Sequence, residues 1–185
     1  FWPSKNIELF YETAQEKINF LNLNEKNFNL MYVFENEKIK NNIKKIIKNK
    51  KIQIIHKVVK NLEEFKRYDL TILCLGGKSK LYNKLKKTRS IKKDYKELAV
   101  TGFVKHNFKN LKTSQFFLKE GPFAVLPFSK NYFSFVWSLK KDFYEKNIRH
   151  LNKVIRNKIF EILNKKKNIV LSNIASYPIK LDLRG

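Results

Sequence analysis

Apolar and polar positions change period several times along the chain. Residues 7–12 (IELFYE) and 17–22 (KINFLN) are short β-prone runs on either side of a polar link, which predicts a hairpin. Residues 28–34 (FNLMYVF) predict a third strand. The period then lengthens. Ile39, Ile43, Ile46 and Ile47 fall at i, i+4, i+7 and i+8, a single apolar stripe on a helix whose other face is Lys and Asn. Glu35 and Glu37 at its start and the lysines toward its end suit the helix dipole. Strand character returns at 52–60 (IQIIHKVVK). The continuous apolar run 69–75 (DLTILCL) predicts a strand buried on both faces.

Beyond about residue 94 the strands lengthen: 96–107, 113–119, 122–128 and 131–139, with turns at "EGP" and "FSKN". Close sequential strands with short turns predict an antiparallel meander. Ile148, Leu151, Ile155, Ile159 and Ile162 keep helical spacing over 148–166, and a last strand follows at about 169–182. The chain therefore reads as an α/β layer, incomplete by itself, followed by an antiparallel sheet with a packed helix, α+β as a whole.

Composition narrows the function classes. With 185 residues, 43% hydrophobic and 14% aromatic, the chain can bury a core and is not a disordered tail. No apolar run approaches the roughly 20 residues of a membrane helix. A single cysteine, Cys74, lies in an apolar run, where a small buried side chain in a reducing compartment is expected. The chain opens on "FWPSKNIELFY" and ends on "KLDLRG", so both ends are expected to be interior to a longer protein. The net charge of +24 invites a nucleic-acid reading, but the basic residues are nearly all Lys and are scattered, whereas base reading favours Arg. Attraction to anionic headgroups needs only surface Lys. A non-catalytic basic module for nucleic acid or an anionic membrane surface is thus the alternative to an enzyme.

The motif tests exclude more than they find. "CLGGKSKL" follows a strand-like run and looks like a phosphate-binding loop, but the pattern needs a glycine at 72, where the chain has Ile72. A G-x-G-x-x-G fingerprint is absent. His56, His106 and His150 lack the spacing of a metal site and read as structural. No nucleophile elbow is present. The aromatic strands (Phe116, Phe117, Phe123, Phe128, Phe133, Phe135, Trp137) read as core or as the wall of an apolar pocket.

Taken in order, several segments resemble the FAD-dependent aromatic-ring hydroxylases of the para-hydroxybenzoate hydroxylase fold, in the branch that acts in ubiquinone biosynthesis. "YVFENEKIKNNI" resembles that family's strand-to-helix entry beside the flavin. "DLTILCLGGKSKL" resembles its D-L-V-V-x-A-D-G-x-x-S-x-[VL], "GPFAVLPF" its G-P-x-A-x-L-P, and "FSFVWSL" the V-W-S strand after it. "YPIKL" is a weaker match. The resemblance implies a flavin-dependent monooxygenase that uses NAD(P)H and O2 to hydroxylate an aromatic ring, a polyprenylated ubiquinone precursor. The cofactor would carry the chemistry and the protein would position and exclude water. Residues 1–33 would be strands of the substrate-side sheet, 34–93 part of the FAD-binding domain, and 94–185 the antiparallel substrate domain. Asn36, Gly76, Gly77 and Ser79 would contact FAD; Pro127, Phe135 and Trp137 would line the substrate pocket; no metal or catalytic side chain is assigned. Leu75 stands where the family has an aspartate, which removes one ribose contact. The family's N-terminal G-x-G-x-x-G would precede Phe1 and its G-D motif would follow Gly185, so weak FAD binding by these residues alone is expected. Other quinone-biosynthesis enzymes are the implied partners, with no specific nucleic acid. The implied location is cytoplasmic, peripheral on the inner membrane.

Overall fold

The computed structural model describes residues 2–76, 79–84, 90–164 and 168–184. The protein is α+β, with a large mixed sheet and few helices. The chain divides into two compact units, Phe1–Asn42 with Lys96–Ile179, and Ile43–Tyr95 with Lys180–Gly185.

The first unit holds most of a seven-stranded sheet. The sheet's strands are β2 (Asn6–Glu12), β3 (Lys17–Asn24), β5 (Ser90–Lys105), β6 (Thr113–Leu118), β7 (Gly121–Ser129), β8 (Tyr132–Lys140) and β9 (Val170–Arg184). The spatial order is β3-β2-β6-β7-β8-β5-β9. The hairpin expected over 7–22 forms as β2–β3, with a bulge between Leu9 and Phe10. The meander forms as β6–β7–β8, and β8 pairs back to β5. One pairing, β2 with β6, is parallel, which a meander alone would not contain. The strand expected at 28–34 shrinks to β4 (Met31–Val33), which pairs with β1 (Trp2–Ser4) in a separate ribbon that contacts β7.

Register explains which side chains meet. Phe123, Trp137 and Val100 form one row across β7, β8 and β5; Val125, Phe135 and Gly102 form the next; Pro127, Phe133 and Val104 the third. These rows point to one face, which α3 (Leu151–Leu163) closes with Leu151, Ile155, Ile159 and Ile162. The helix starts later than 148, because α2 (Lys141–Asn147) and a short 3-10 turn at Ile148–His150 precede it. Asn164, in the left-handed conformation at φ 48°, ends it. Gly102 is required where it stands: a Cβ there would lie 2.8 Å from Phe135 Cε1. Phe10 and Phe116 stack at 4.7 Å on the same face.

The second unit departs from expectation. Helix α1 (Asn36–Asn49), whose residues from Ile43 on belong to this unit, forms as its isoleucine stripe predicts, though Ile43 and Ile46 remain about half exposed. Segments 52–60 and 69–75 are not strands. Leu70 and Ile72 are 78% and 76% exposed, and Cys74 is exposed rather than buried. The physical reason is that a strand buried on both faces needs neighbours on both edges and a covering layer on each side. Neither segment pairs with a strand in the described sheets.

Candidate functional site

The residues expected to contact a flavin fall on both units. Asn36 is the first residue of α1 and is exposed; the backbone oxygen of Glu35 before it accepts the first helical N–H groups, from Lys38 and Ile39. Gly76 has φ +66° and open space where a side chain would be, so another group could approach its backbone closely. Ser79 Oγ accepts the Leu81 N–H at 3.2 Å, a local turn bond that leaves the hydroxyl able to donate. Gly77 lies outside the described residues. Leu75 is half-buried and presents no acceptor.

An FAD cradle needs acceptors for ribose hydroxyls and amides at a helix N-terminus for the pyrophosphate. Around 75–79 the described residues supply one open glycine and one hydroxyl, and the helix that follows is a five-residue 3-10 turn, Lys80–Lys84. The run before Gly76 is largely exposed and is not a strand that would fix the turn. These residues do not by themselves fit an FAD.

The residues expected to line a substrate pocket are together, but inside the core. Phe135 and Trp137 have no accessible surface, and Pro127 is buried on the same side. Trp137 packs against Phe123 at 5.5 Å and edge-on to Phe143 of α2 at 6.2 Å. A ligand meeting the sheet would touch their neighbours instead.

Those neighbours form the more informative surface. Opposite the packed face, Ala124, Val136 and Thr101 make one row and Leu126, Ser134 and Phe103 the next. Phe128 turns onto this side, with its ring 5.3 Å from Phe103. Toward the other edge come Gln115 and Phe117, then Ile7, Leu9 and Tyr11, then Ile18, Leu21 and Leu23. Thr113, on the same side, donates to Ser4 of β1 at 2.9 Å. None of these residues is charged, in a chain that is 30% charged. Where β5 and β8 pair, the charges on this side lie at the ends, as Lys105, Glu97 and Lys140. We call this the open face. Strand alternation in "FAVLPF" and "FSFVWS" is visible in the sequence and defines two sets of side chains. It does not say which set the isoleucines of α3 will cover.

One group of ion pairs lies beside the packed face instead. Lys158 Nζ lies 3.0 Å from both Glu120 and Glu161, and Lys17 Nζ donates to the Glu161 carbonyl at 2.7 Å. Burial pulls the Lys158 pKa down, but hydrogen bonds and charge from Glu161 and Glu120 outweigh it, leaving it above its ordinary value. Burial likewise raises the Glu161 pKa, and the two lysines more than reverse this, holding it low. These pairs tie the β6–β7 turn and the start of β3 to α3; they are structural.

His106 is buried, its Nδ1 accepting the Phe108 N–H at 3.0 Å, while His56 and His150 are exposed. Among the described residues no group of three or more His, Cys, Asp or Glu is placed to hold a metal ion. No helix among them is long and apolar enough to cross a membrane. No protein-family model matches the chain, and no curated protein sequence matches it significantly.

Proposed function

We propose that the chain supplies the substrate-side sheet of a flavin-dependent monooxygenase that hydroxylates an aromatic ring, a polyprenylated quinone precursor, with NAD(P)H and O2. The observation that carries the reading is the open face: a broad sheet surface without charge, half-exposed, and studded with Phe103, Leu126, Phe128 and Val136. An apolar surface without charge favours an apolar ligand, which once bound covers it from water. Ser134, Thr101 and Gln115 interrupt it with neutral donors and acceptors, suited to orienting ring hydroxyls without carrying charge into the site.

The order of the "YVFENE", "CLGGKS", "GPFAVLP" and "FVWS" segments supports the same family reading. When bound, the flavin would supply the oxygen-transfer chemistry. The incomplete fit at 75–79 limits what these residues contribute to holding it. In this reading Ala124, Leu126, Val136 and Phe103 bind the ring's apolar plane, and the packed rows behind them hold that plane rigid.

The test is to express the full product of the reading frame that contains these residues and to record its visible spectrum after purification. A folded protein carrying flavin absorbance, and consuming NAD(P)H faster when a prenylated phenol is added, agrees with the proposal. A folded, colourless product that takes up no FAD contradicts it.

A further inference from the structure

The open face is not uniform. From β6 inward to β5 its side chains are mostly half-buried. Across the β2–β3 hairpin and the adjoining part of β6, Tyr11, Ile18, Phe20, Leu21, Leu23 and Phe117 are each 40–55% exposed. They are contiguous. Tyr11 pairs with both Ile18 and Phe117, Leu9 with Leu21, and Ile7 with Leu23. Phe20, beside the bulge, brings its ring to 6.0 Å from Phe117. Monomeric soluble proteins rarely leave such a patch open unless something covers it.

The surroundings indicate what covers it. At one end of the sheet, the strand ends and loops carry Lys5, Lys26, Lys105, Lys109, Lys112 and Lys130, all exposed. Against them stand Glu25 and Glu8, the latter paired with Lys112 at 2.6 Å. The patch itself carries no charge. A second copy of this chain would set one +24 molecule against another. Nucleic acid would answer the lysines but leave the aliphatic side chains uncovered. A surface that is both anionic and apolar just beneath answers both features: headgroups take the lysines, and acyl chains take Phe20, Leu21 and Leu23. Tyr11 and the two phenylalanines are suited to the interfacial region.

We propose that the β2–β3 hairpin, with Phe117 of β6 beside it, docks on an anionic lipid bilayer. This surface stands independently of the flavin reading, since it requires neither cofactor nor substrate.

The test uses vesicles of phosphatidylcholine with and without phosphatidylglycerol, sedimented with the chain. Binding is expected only to the anionic vesicles and is expected to weaken with added salt. Replacing Phe20→Ser together with Leu21→Ser should lower the affinity by about tenfold or more, what losing one buried large apolar side chain corresponds to. Both positions are exposed, so circular dichroism and thermal melting should be unchanged. In a Cys74→Ser background, a solvatochromic dye at Leu23→Cys should shift to the blue on anionic vesicles. The same dye at Lys153→Cys, exposed on α3 behind the sheet, should not. Equal binding to neutral vesicles would overturn the proposal, as would binding that survives the double substitution. A blue shift at position 153 rather than 23 would overturn it too. So would a lipid-free dimer, or duplex-DNA binding, that the Phe20/Leu21 substitutions abolish.

Discussion

Two apolar runs of this chain look alike and end differently. "FSFVWSL" in β8 and "DLTILCL" at 69–75 are similar in length and apolar content. In β8 every second side chain is buried, with Phe133, Phe135, Trp137 and Leu139 almost fully enclosed. Across 69–75 no residue is buried. The difference lies in partners. β8 has β7 on one edge, β5 on the other and α3 over its packed face. The 69–75 run pairs with no strand in the described sheets. An apolar run specifies a demand for burial; whether the demand is met depends on what pairs with it.

The comparison can be broken most forcefully in the packed face. Trp137→Ala should destabilise the protein by about 3–5 kcal/mol in chemical denaturation, the usual range for emptying a fully buried aromatic site. Ile72→Ala should change it by no more than about 0.5 kcal/mol, as expected for an exposed side chain. If Ile72→Ala costs as much as Trp137→Ala, the 69–75 run is enclosed in solution and the contrast fails.

A smaller effect sharpens the register. Gly102→Ala should cost about 1–3 kcal/mol, because the new methyl meets the Phe135 ring and, at 3.1 Å, Ile174. Combining it with Phe135→Leu should recover part of that loss, a non-additivity visible in a double-mutant cycle. Simple additivity would mean that residues 102 and 135 are not opposed.

The smallest effect is electrostatic. Lys158→Met should lower stability by about 1 kcal/mol near neutral pH, modest because Glu161 is partly exposed. Glu161 is held below its ordinary 4.5, so its contribution is present above that value and is lost as pH falls through its lowered pKa. Lys158 is held above 10.5, so its contribution is full below that value and is lost as pH rises through the raised pKa. Melting curves of wild type and Lys158→Met should therefore converge at both extremes. A gap that stays constant with pH would assign the loss to packing alone.

Much of the sheet was legible because strand period, turn residues and short spacing agree from 96 to 140. The helices α1 and α3 were legible from their isoleucine stripes, whereas α2, which precedes the helix expected over 148–166, was not expected. The parallel pairing of β2 with β6 was not legible, since it joins residues about a hundred positions apart and leaves no local signature. For the site, the sequence pointed to side chains of β7 and β8 that the structure places in the core. Pro127, Phe135 and Trp137 stood out by size, and size is what the core uses. The less conspicuous alternates, Ala124, Leu126, Ser134 and Val136, were passed over because each is ordinary alone. Their shared lack of charge becomes visible only when register places them side by side.

The central claim is that this uncharged face receives an aromatic ligand, and one measurement bears on it most directly. In the flavin-loaded full product, KM for a prenylated phenol is compared between wild type, Val136→Asp and Val136→Thr, with melting temperature recorded for each. The account predicts that Asp raises KM by about tenfold or more, as a carboxylate buried against an aromatic ring should. Thr should remain near wild type and all three should melt alike. An unchanged KM in folded Val136→Asp would contradict it.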